Sequence, residues 1–92
     1  MELTIVEKQR LRSLSDLIVH NPQYARDVLS YSQSNLQPMR YEDIASLIEL
    51  LETKGEADLD EQTYLKRLTE IIDKFHDKDI KAIFKSSLSV SS

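Results

Sequence analysis

A chain of 92 residues, of which 40% are apolar and 30% charged, has the size and composition of one small folded domain rather than of a disordered segment. It has no cysteine, and no apolar run approaches the ~20 residues needed to cross a bilayer, so disulfides, thiolate chemistry and a transmembrane helix are not expected. The net charge of −4 is concentrated in residues 41–73, where ten acidic residues stand against three basic ones, and this disfavours a nucleic-acid partner, which requires a basic contact surface.

The first predicted helix covers residues 5–19. Thr4 and Glu7 have the spacing of a capping box, in which each side chain accepts a hydrogen bond from the backbone N–H of the other residue. The apolar stripe expected to be buried recurs at helical intervals and consists of Val6, Leu11, Leu14, Leu17 and Ile18. Asn21 and Pro22 then mark a boundary, because Asn caps helix N-termini and Pro is tolerated at the first helical position.

The second predicted helix covers residues 22–35, and Pro38 lies in the loop-like segment 37–40 that follows it. The residues expected to face inward are Tyr24, Ala25, Val28, Leu29 and Tyr31. The third predicted helix covers residues 41–54 and has the firmest apolar pattern, formed by Ile44, Leu47, Ile48 and Leu51. Gly55, the only glycine, follows directly and is predicted to be the C-cap of this helix.

The fourth helix is predicted to start after Asp58, which has Glu61 three residues later in capping-box spacing. Its apolar residues recur every three or four positions as far as His76 and are Tyr64, Leu65, Leu68, Ile71, Ile72 and Phe75. Residues 77–85 either continue this helix with a kink or form a short fifth helix that starts near Asp77, and we favour the fifth helix. Residues 86–92 include five serines and are predicted to form a flexible tail.

No segment has the alternating apolar pattern of a strand, and helices joined by short connections pack antiparallel to their neighbours. The sequence therefore predicts an all-α fold, an antiparallel four-helix bundle with a short C-terminal helix or helix extension. We expect residues 1–85 to form a single domain and residues 86–92 to lie outside it.

No arrangement of residues in the sequence indicates catalysis, a metal or a cofactor. His20 and His76 stand apart at predicted helix ends, whereas a zinc site needs three or four ligands at matched spacing. The acidic residues in segment 56–61 lack the glycine and the spacing of a calcium loop. A helical enzyme of the chorismate mutase type would need a longer first helix than Asn21 and Pro22 permit. We therefore expect a protein that is not an enzyme and holds no cofactor.

The best candidate for a partner-binding site is a set of lysines near the end of the sequence. Four of them recur every three or four residues and would share one helix face: Lys74, Lys78, Lys81 and Lys85. A basic amphipathic helix can dock on a protein or lie on an anionic membrane surface, whereas a packed helix with a solvated basic face is the alternative. Tyr41 is a second candidate for partner contact; the tyrosines are otherwise expected at the edge of the core.

The chain resembles the bacteriocin immunity proteins of lactic acid bacteria and streptococci, of the enterocin A and pediocin type. The likeness covers residues 3–84 and rests on the helix lengths, the polar exit of the second helix at 31–35, the acidic turn at 55–61 and a short last helix with a loose tail. It implies a cytoplasmic antiparallel bundle without catalytic residues. It also implies protection of the producing cell by recognition of a bacteriocin-engaged membrane receptor such as a sugar permease, with the part from Tyr64 onward setting which bacteriocin is resisted.

A second hypothesis stays open: a small intracellular adaptor or regulatory module that binds another protein without enzymatic activity. Under either hypothesis the partner is a protein, with no nucleic acid and at most peripheral contact with a membrane. The first residues lack the basic start and apolar core of a signal peptide, so we expect a cytoplasmic location. The oligomeric state stays open, because Ile80, Ile83 and Phe84 could cover the chain's own core or a second copy.

Overall fold

The computed structural model describes residues 3–31 and 39–90, without the side chains of residues 89 and 90. This part of the chain is all-helical, with five helices: α1 Ile5–His20, α2 Pro22–Tyr31, α3 Tyr41–Ala57, α4 Glu61–Asp73 and α5 Lys78–Val90. Successive helices pack on one another, and α5 packs back on α1 in the most extensive of the helix pairs. None of these helices combines the length and apolar character that a membrane span requires.

All five helices contribute to one apolar core. Each supplies at least one fully buried residue, namely Ile18, Leu29, Leu47, Leu68 and Phe84 in chain order. The Phe84 ring meets the Phe75 ring edge to face, with 5.2 Å between the ring centres, which is a favourable geometry for aromatic pairs. The last helix is therefore part of the core and not an appendage to it.

The predicted start of α1 is confirmed. The Glu7 N–H donates to the Thr4 hydroxyl oxygen over 3.1 Å, and the Thr4 N–H donates to the Glu7 carboxylate over 2.8 Å. The predicted burial of Val6 is wrong, because its side chain is 61% exposed. Val6 lies five residues before Leu11, which places it about 140° around the helix from the buried stripe. Ser15 instead joins that stripe.

The expected orientation of α2 is right for two residues and wrong for two others. Ala25 and Leu29 are fully buried, one helical turn apart. Tyr24 and Tyr31 are exposed, Tyr31 to 89%, because each lies well around the helix from the Ala25–Leu29 line. Residues 32–35 of the predicted helix, and Pro38, lie outside the described residues.

The boundary between α3 and α4 differs from the prediction. Gly55 lies inside α3, which continues to Ala57 and ends at Asp58 in the left-handed conformation (φ 50°, ψ 51°). Asp58 is therefore the C-cap of α3, which is the role predicted for Gly55. The predicted capping box between Asp58 and Glu61 does not form. Asp60 is the residue before α4, and its side chain makes no capping hydrogen bond. Aspartate tolerates the left-handed region better than most residues, which permits this later ending.

Lys54 connects the end of α3 to the turn and to α4. The Lys54 ammonium donates to the Leu59 carbonyl over 3.0 Å and lies 5.1 Å from the centre of the Tyr64 ring. Both contacts hold the turn after α3 against the first part of α4. The Tyr64 hydroxyl in turn donates to the backbone carbonyl of Ile18, which connects α4 to α1 inside the core.

The separate fifth helix is confirmed. Asp77 caps it, because one carboxylate oxygen accepts from the Asp79 N–H over 2.8 Å and from the Ile80 N–H over 3.1 Å. The helix continues to Val90, so residues 86–90, which the sequence places in the tail, are helical. Ser87 is buried and donates to the Asp16 carboxylate on α1 over 2.9 Å. Residues 91 and 92 lie outside the described part.

Candidate functional site

The four candidate lysines do not share one helix face. α4 ends at Asp73 and α5 begins at Lys78, so the break at residues 74–77 separates Lys74 from the others. Lys74 is the residue that follows α4, and it lines a groove between α3 and α4 together with Arg67 and Glu70. The predicted single face is therefore wrong for Lys74, because the spacing argument assumed an uninterrupted helix.

The other three lysines form one side of α5. Lys78, Lys81 and Lys85 are three and then four residues apart, which places them on neighbouring turns of one face. Lys78 and Lys85 are exposed, and Lys81 is half-buried. Ile80 and Phe84 are buried in the core, so the apolar side of α5 is already covered. What α5 offers to a partner is its charged side.

Asp73 is the counter-charge of this surface. The Lys85 ammonium lies 2.7 Å from a carboxylate oxygen of Asp73, and both side chains are about half exposed. The hydrogen bond from Lys85 holds the pKa of Asp73 below its usual value, and the charges of Lys85 and Lys81 act in the same direction. Asp77 directly precedes α5, and Asp79 is the second residue of α5. The surface therefore carries a pattern of alternating charges, which favours directed contacts with a protein over general attraction to an anionic membrane.

The two histidines lie at different ends of helices, as their sequence positions suggest. His20 is the last residue of α1 and lines a cleft of about 590 Å³ between the start of α2 and the end of α3. His76 follows α4 and is exposed. Burial raises the pKa of Asp43, while the positive charges of Arg40 and His76 act in the opposite direction, so His76 lies near the start of α3. Over residues 3–31 and 39–90, no group of three or more side chains is placed to hold a metal ion.

The tyrosines divide into one buried and three exposed residues. Tyr64 is enclosed in the core, and burial raises the pKa of its hydroxyl. Tyr24, Tyr31 and Tyr41 lie at the surface, with Tyr41 73% exposed. The expectation of core-edge positions is therefore wrong for these three, and the partner-accessible alternative for Tyr41 is the one that the structure matches.

Sequence reasoning missed a shallow groove on the outer side of α3. It has a volume of about 250 Å³ and is lined by Tyr41, Ile44, Ala45, Ile48, Glu49 and Glu52. A signal for it is present in the sequence, since Glu42, Glu49 and Glu56 recur every seven residues on the side away from Leu47 and Leu50. A row of like charges at this interval marks a solvent-facing helix side.

No protein-family model matches this chain, and no curated protein or solved structure is significantly similar to it. The function is accordingly inferred from the residues and their geometry.

Proposed function

We propose that the protein is a bacteriocin immunity protein that acts in the cytoplasm without catalysis. It protects the producing cell by binding a membrane receptor, such as a sugar permease, when a bacteriocin engages that receptor. The observation that carries this proposal is α5, a last helix whose apolar side is buried and whose lysines point outward. The sequence resemblance to immunity proteins of this size supports it further.

The proposed architecture is an antiparallel four-helix bundle of α1 to α4 whose core α5 completes by packing against both α4 and α1. Support comes from the contacts between successive helices and from the direct connection of α1 to α2 at Asn21. Short connections of this kind join antiparallel neighbours. In this arrangement the part from Tyr64 onward brings α4 and α5 together as one surface that can select a partner.

The proposed contact residues are Lys78, Lys81 and Lys85, with Lys74 as a separate contact beyond the end of α4. A lysine near an anionic surface contributes about 1 kcal/mol. Because the neighbouring aspartates offset this attraction, we expect the lysines to recognise acidic groups on a cytoplasmic loop of the receptor. Contact with the membrane itself is at most peripheral.

Expression in a bacteriocin-sensitive strain tests the proposal. We expect the wild-type protein to restore growth in the presence of at least one bacteriocin of a panel. The double variant Lys78→Gln/Lys81→Gln should lose protection by at least about tenfold in the inhibitory concentration, since partner contacts are lost while the buried side of α5 is unchanged.

The matched control is Lys8→Gln/Arg26→Gln, which removes the same charge from exposed positions on α1 and α2. This control should protect as well as the wild type. Unchanged killing by every bacteriocin of the panel would count against an immunity function. Equal loss of protection in both double variants would count against the α5 surface.

A binding module without any bacteriocin is the second candidate. The exposure of Tyr24 and Tyr31 on α2 favours it, because solvent-exposed tyrosines are enriched where proteins bind one another. This candidate requires a stoichiometric complex in a pull-down from cells that have met no bacteriocin. If no such complex forms while protection is observed, the adaptor hypothesis is rejected.

A further inference from the structure

The outer side of α3 has an apolar strip that the core covers only in part, since Ile48 packs against the core while Tyr41 and Ala45 are exposed. Ile44, Leu47 and Leu51 fill the core side of this helix and are buried. Tyr41, Ala45 and Ile48 form instead the floor and wall of the groove of about 250 Å³, and follow one another at intervals of four and three residues. Tyr41 is largely exposed, Ala45 is exposed and Ile48 is half-buried. This strip has the spacing with which one helix receives another.

Glutamates border the strip on one side. Glu42, Glu49, Glu52 and Glu56 are all exposed. The one basic residue of α3, Lys54, lies on the other side of the helix and is engaged by the Leu59 carbonyl and the Tyr64 ring. Arg40 lies 3.5 Å from Glu42, and both side chains are more than half exposed, so this contact neutralises little of the row. The groove therefore has an apolar floor with an acidic rim.

We propose that this groove is the docking site for a basic amphipathic helix of a partner protein or peptide. Helices bind in grooves through apolar residues at intervals of three and four, which matches Tyr41, Ala45 and Ile48. Basic residues beside those anchors would meet the glutamate row, which gives the complex its orientation and raises its association rate.

Charge and geometry disfavour other occupants. Nucleic acids and anionic membranes carry the same sign of charge as the rim and are repelled by it. A metal ion is not supported, since among the described residues no three acidic or histidine side chains lie close enough together to bind one. A second copy of this chain would have to offer the lysine side of α5, where Lys85 is already paired with Asp73.

Fluorescence anisotropy with a labelled synthetic peptide tests this site directly. The probe is an amphipathic peptide of about 15 leucine and lysine residues, long enough to form a helix when bound. We expect Glu49→Gln/Glu52→Gln to raise the Kd of the peptide at least about tenfold, because it removes two negative charges from the rim. Tyr41→Ser should raise the Kd about fivefold, because it removes an apolar contact.

The charge-matched control is Asp16→Asn/Asp27→Asn, on α1 and α2, which should change the Kd less than about twofold. Circular dichroism melting of every variant identifies any that fails to fold. The site is refuted if the two double variants bind alike, or if a scrambled peptide of equal charge binds as tightly as the amphipathic one. A wild-type dimer in sedimentation that Tyr41→Ser dissociates would also overturn it, because the groove would then cover a second copy.

The outcome is independent of the proposed immunity function. The peptide experiment concerns α3 and needs no bacteriocin, whereas protection is assigned to the lysines of α5. If the α5 variants lose protection but bind the peptide normally, the two surfaces act separately. The same follows if the α3 variants lose peptide binding but still protect.

Discussion

Ser15 is the clearest local imperfection of the described structure. Its side chain is buried, and its hydroxyl has no hydrogen-bond partner within the described residues. A buried polar group without a partner loses its hydrogen bonds to water and forms none in the folded protein, so its burial lowers the stability of the fold. The position lies between Leu11 and Ile18 on the core side of α1, where an apolar side chain would be the expected choice.

We expect Ser15→Ala to raise the free energy of unfolding by about 1 kcal/mol, because it removes the unpaired hydroxyl and improves helix propensity. Urea denaturation followed by circular dichroism measures this change. Ser13→Ala is the matched control: Ser13 is an exposed serine of the same helix, so its replacement should change the free energy by less than about 0.5 kcal/mol. A loss of stability in Ser15→Ala would show that the hydroxyl has a stabilising role.

Single residues were the least predictable level of the structure. Gly55 satisfies the sequence rule for a helix end, yet α3 continues through it to Ala57, and Gly55 does not adopt the left-handed conformation. The helix ends instead at Asp58 in the left-handed conformation, and the hydrogen bond from Lys54 to the Leu59 carbonyl spans this turn. Likewise, the exposure of Tyr24 depends on where α2 meets α1 and α3, and not on residue type.

Whole elements were more predictable than their ends. The apolar patterns of α1, α3 and α4 indicate the correct faces for most residues, because burial of one side is what stabilises a helix in a protein. Caps formed by side chains are also readable, as the Thr4–Glu7 pair confirms. The length of α5 was underestimated, because its serine-rich end has only Leu88 and Val90 as apolar residues. In the structure Leu88 packs against the core and the Ser87 hydroxyl donates to Asp16.

The Tyr64 hydroxyl connects two helices inside the core, and its burial makes stability depend on pH in the alkaline range. Burial raises the pKa of Tyr64 above its ordinary value near 10. The unfolded chain therefore ionises this phenol above about pH 10 while the folded protein keeps it protonated. The contribution of the protonated Tyr64 side chain to the free energy of unfolding is fully present below about pH 10 and is lost as the pH rises above this value.

Tyr64→Phe should accordingly lower the free energy of unfolding by about 1 kcal/mol at pH 7 through the lost hydrogen bond to Ile18, and should make its decline above pH 10 shallower. Thermal melting between pH 7 and pH 11 measures both effects. Tyr24→Phe serves as the control, because Tyr24 is exposed and its replacement should leave the pH dependence unchanged. An identical alkaline decline in wild type and Tyr64→Phe would contradict this assignment.

At the scale of the whole molecule, the structure separates two surfaces of different charge. In the sequence, the acidic side of α3 appears as an excess of acidic residues in 41–73, and the lysine side of α5 appears in the spacing of its lysines. The lysine spacing suggested one continuous face, but the break between α4 and α5 assigns Lys74 to the groove beside α3. Spacing along a sequence predicts a shared face only within one helix. The sequence therefore predicts the shared face of the three lysines in α5, but not the separate position of Lys74.

The proposed immunity function requires binding that depends on the bacteriocin. A membrane receptor that is recognised only when engaged should be captured only when the bacteriocin is present, because the free receptor lacks the bound conformation. This dependence also distinguishes the proposal from an adaptor, which would bind its partner in both conditions.

The most direct measurement is a pull-down with the tagged protein from membranes of a sensitive strain, with and without the bacteriocin against which it protects. We predict a stoichiometric complex with one membrane receptor when the bacteriocin is added, and none without it. The Lys78→Gln/Lys81→Gln variant should fail to capture the receptor, and Lys8→Gln/Arg26→Gln should capture it normally. Recovery of the same partner in both conditions, or of no membrane protein in either, would contradict the account.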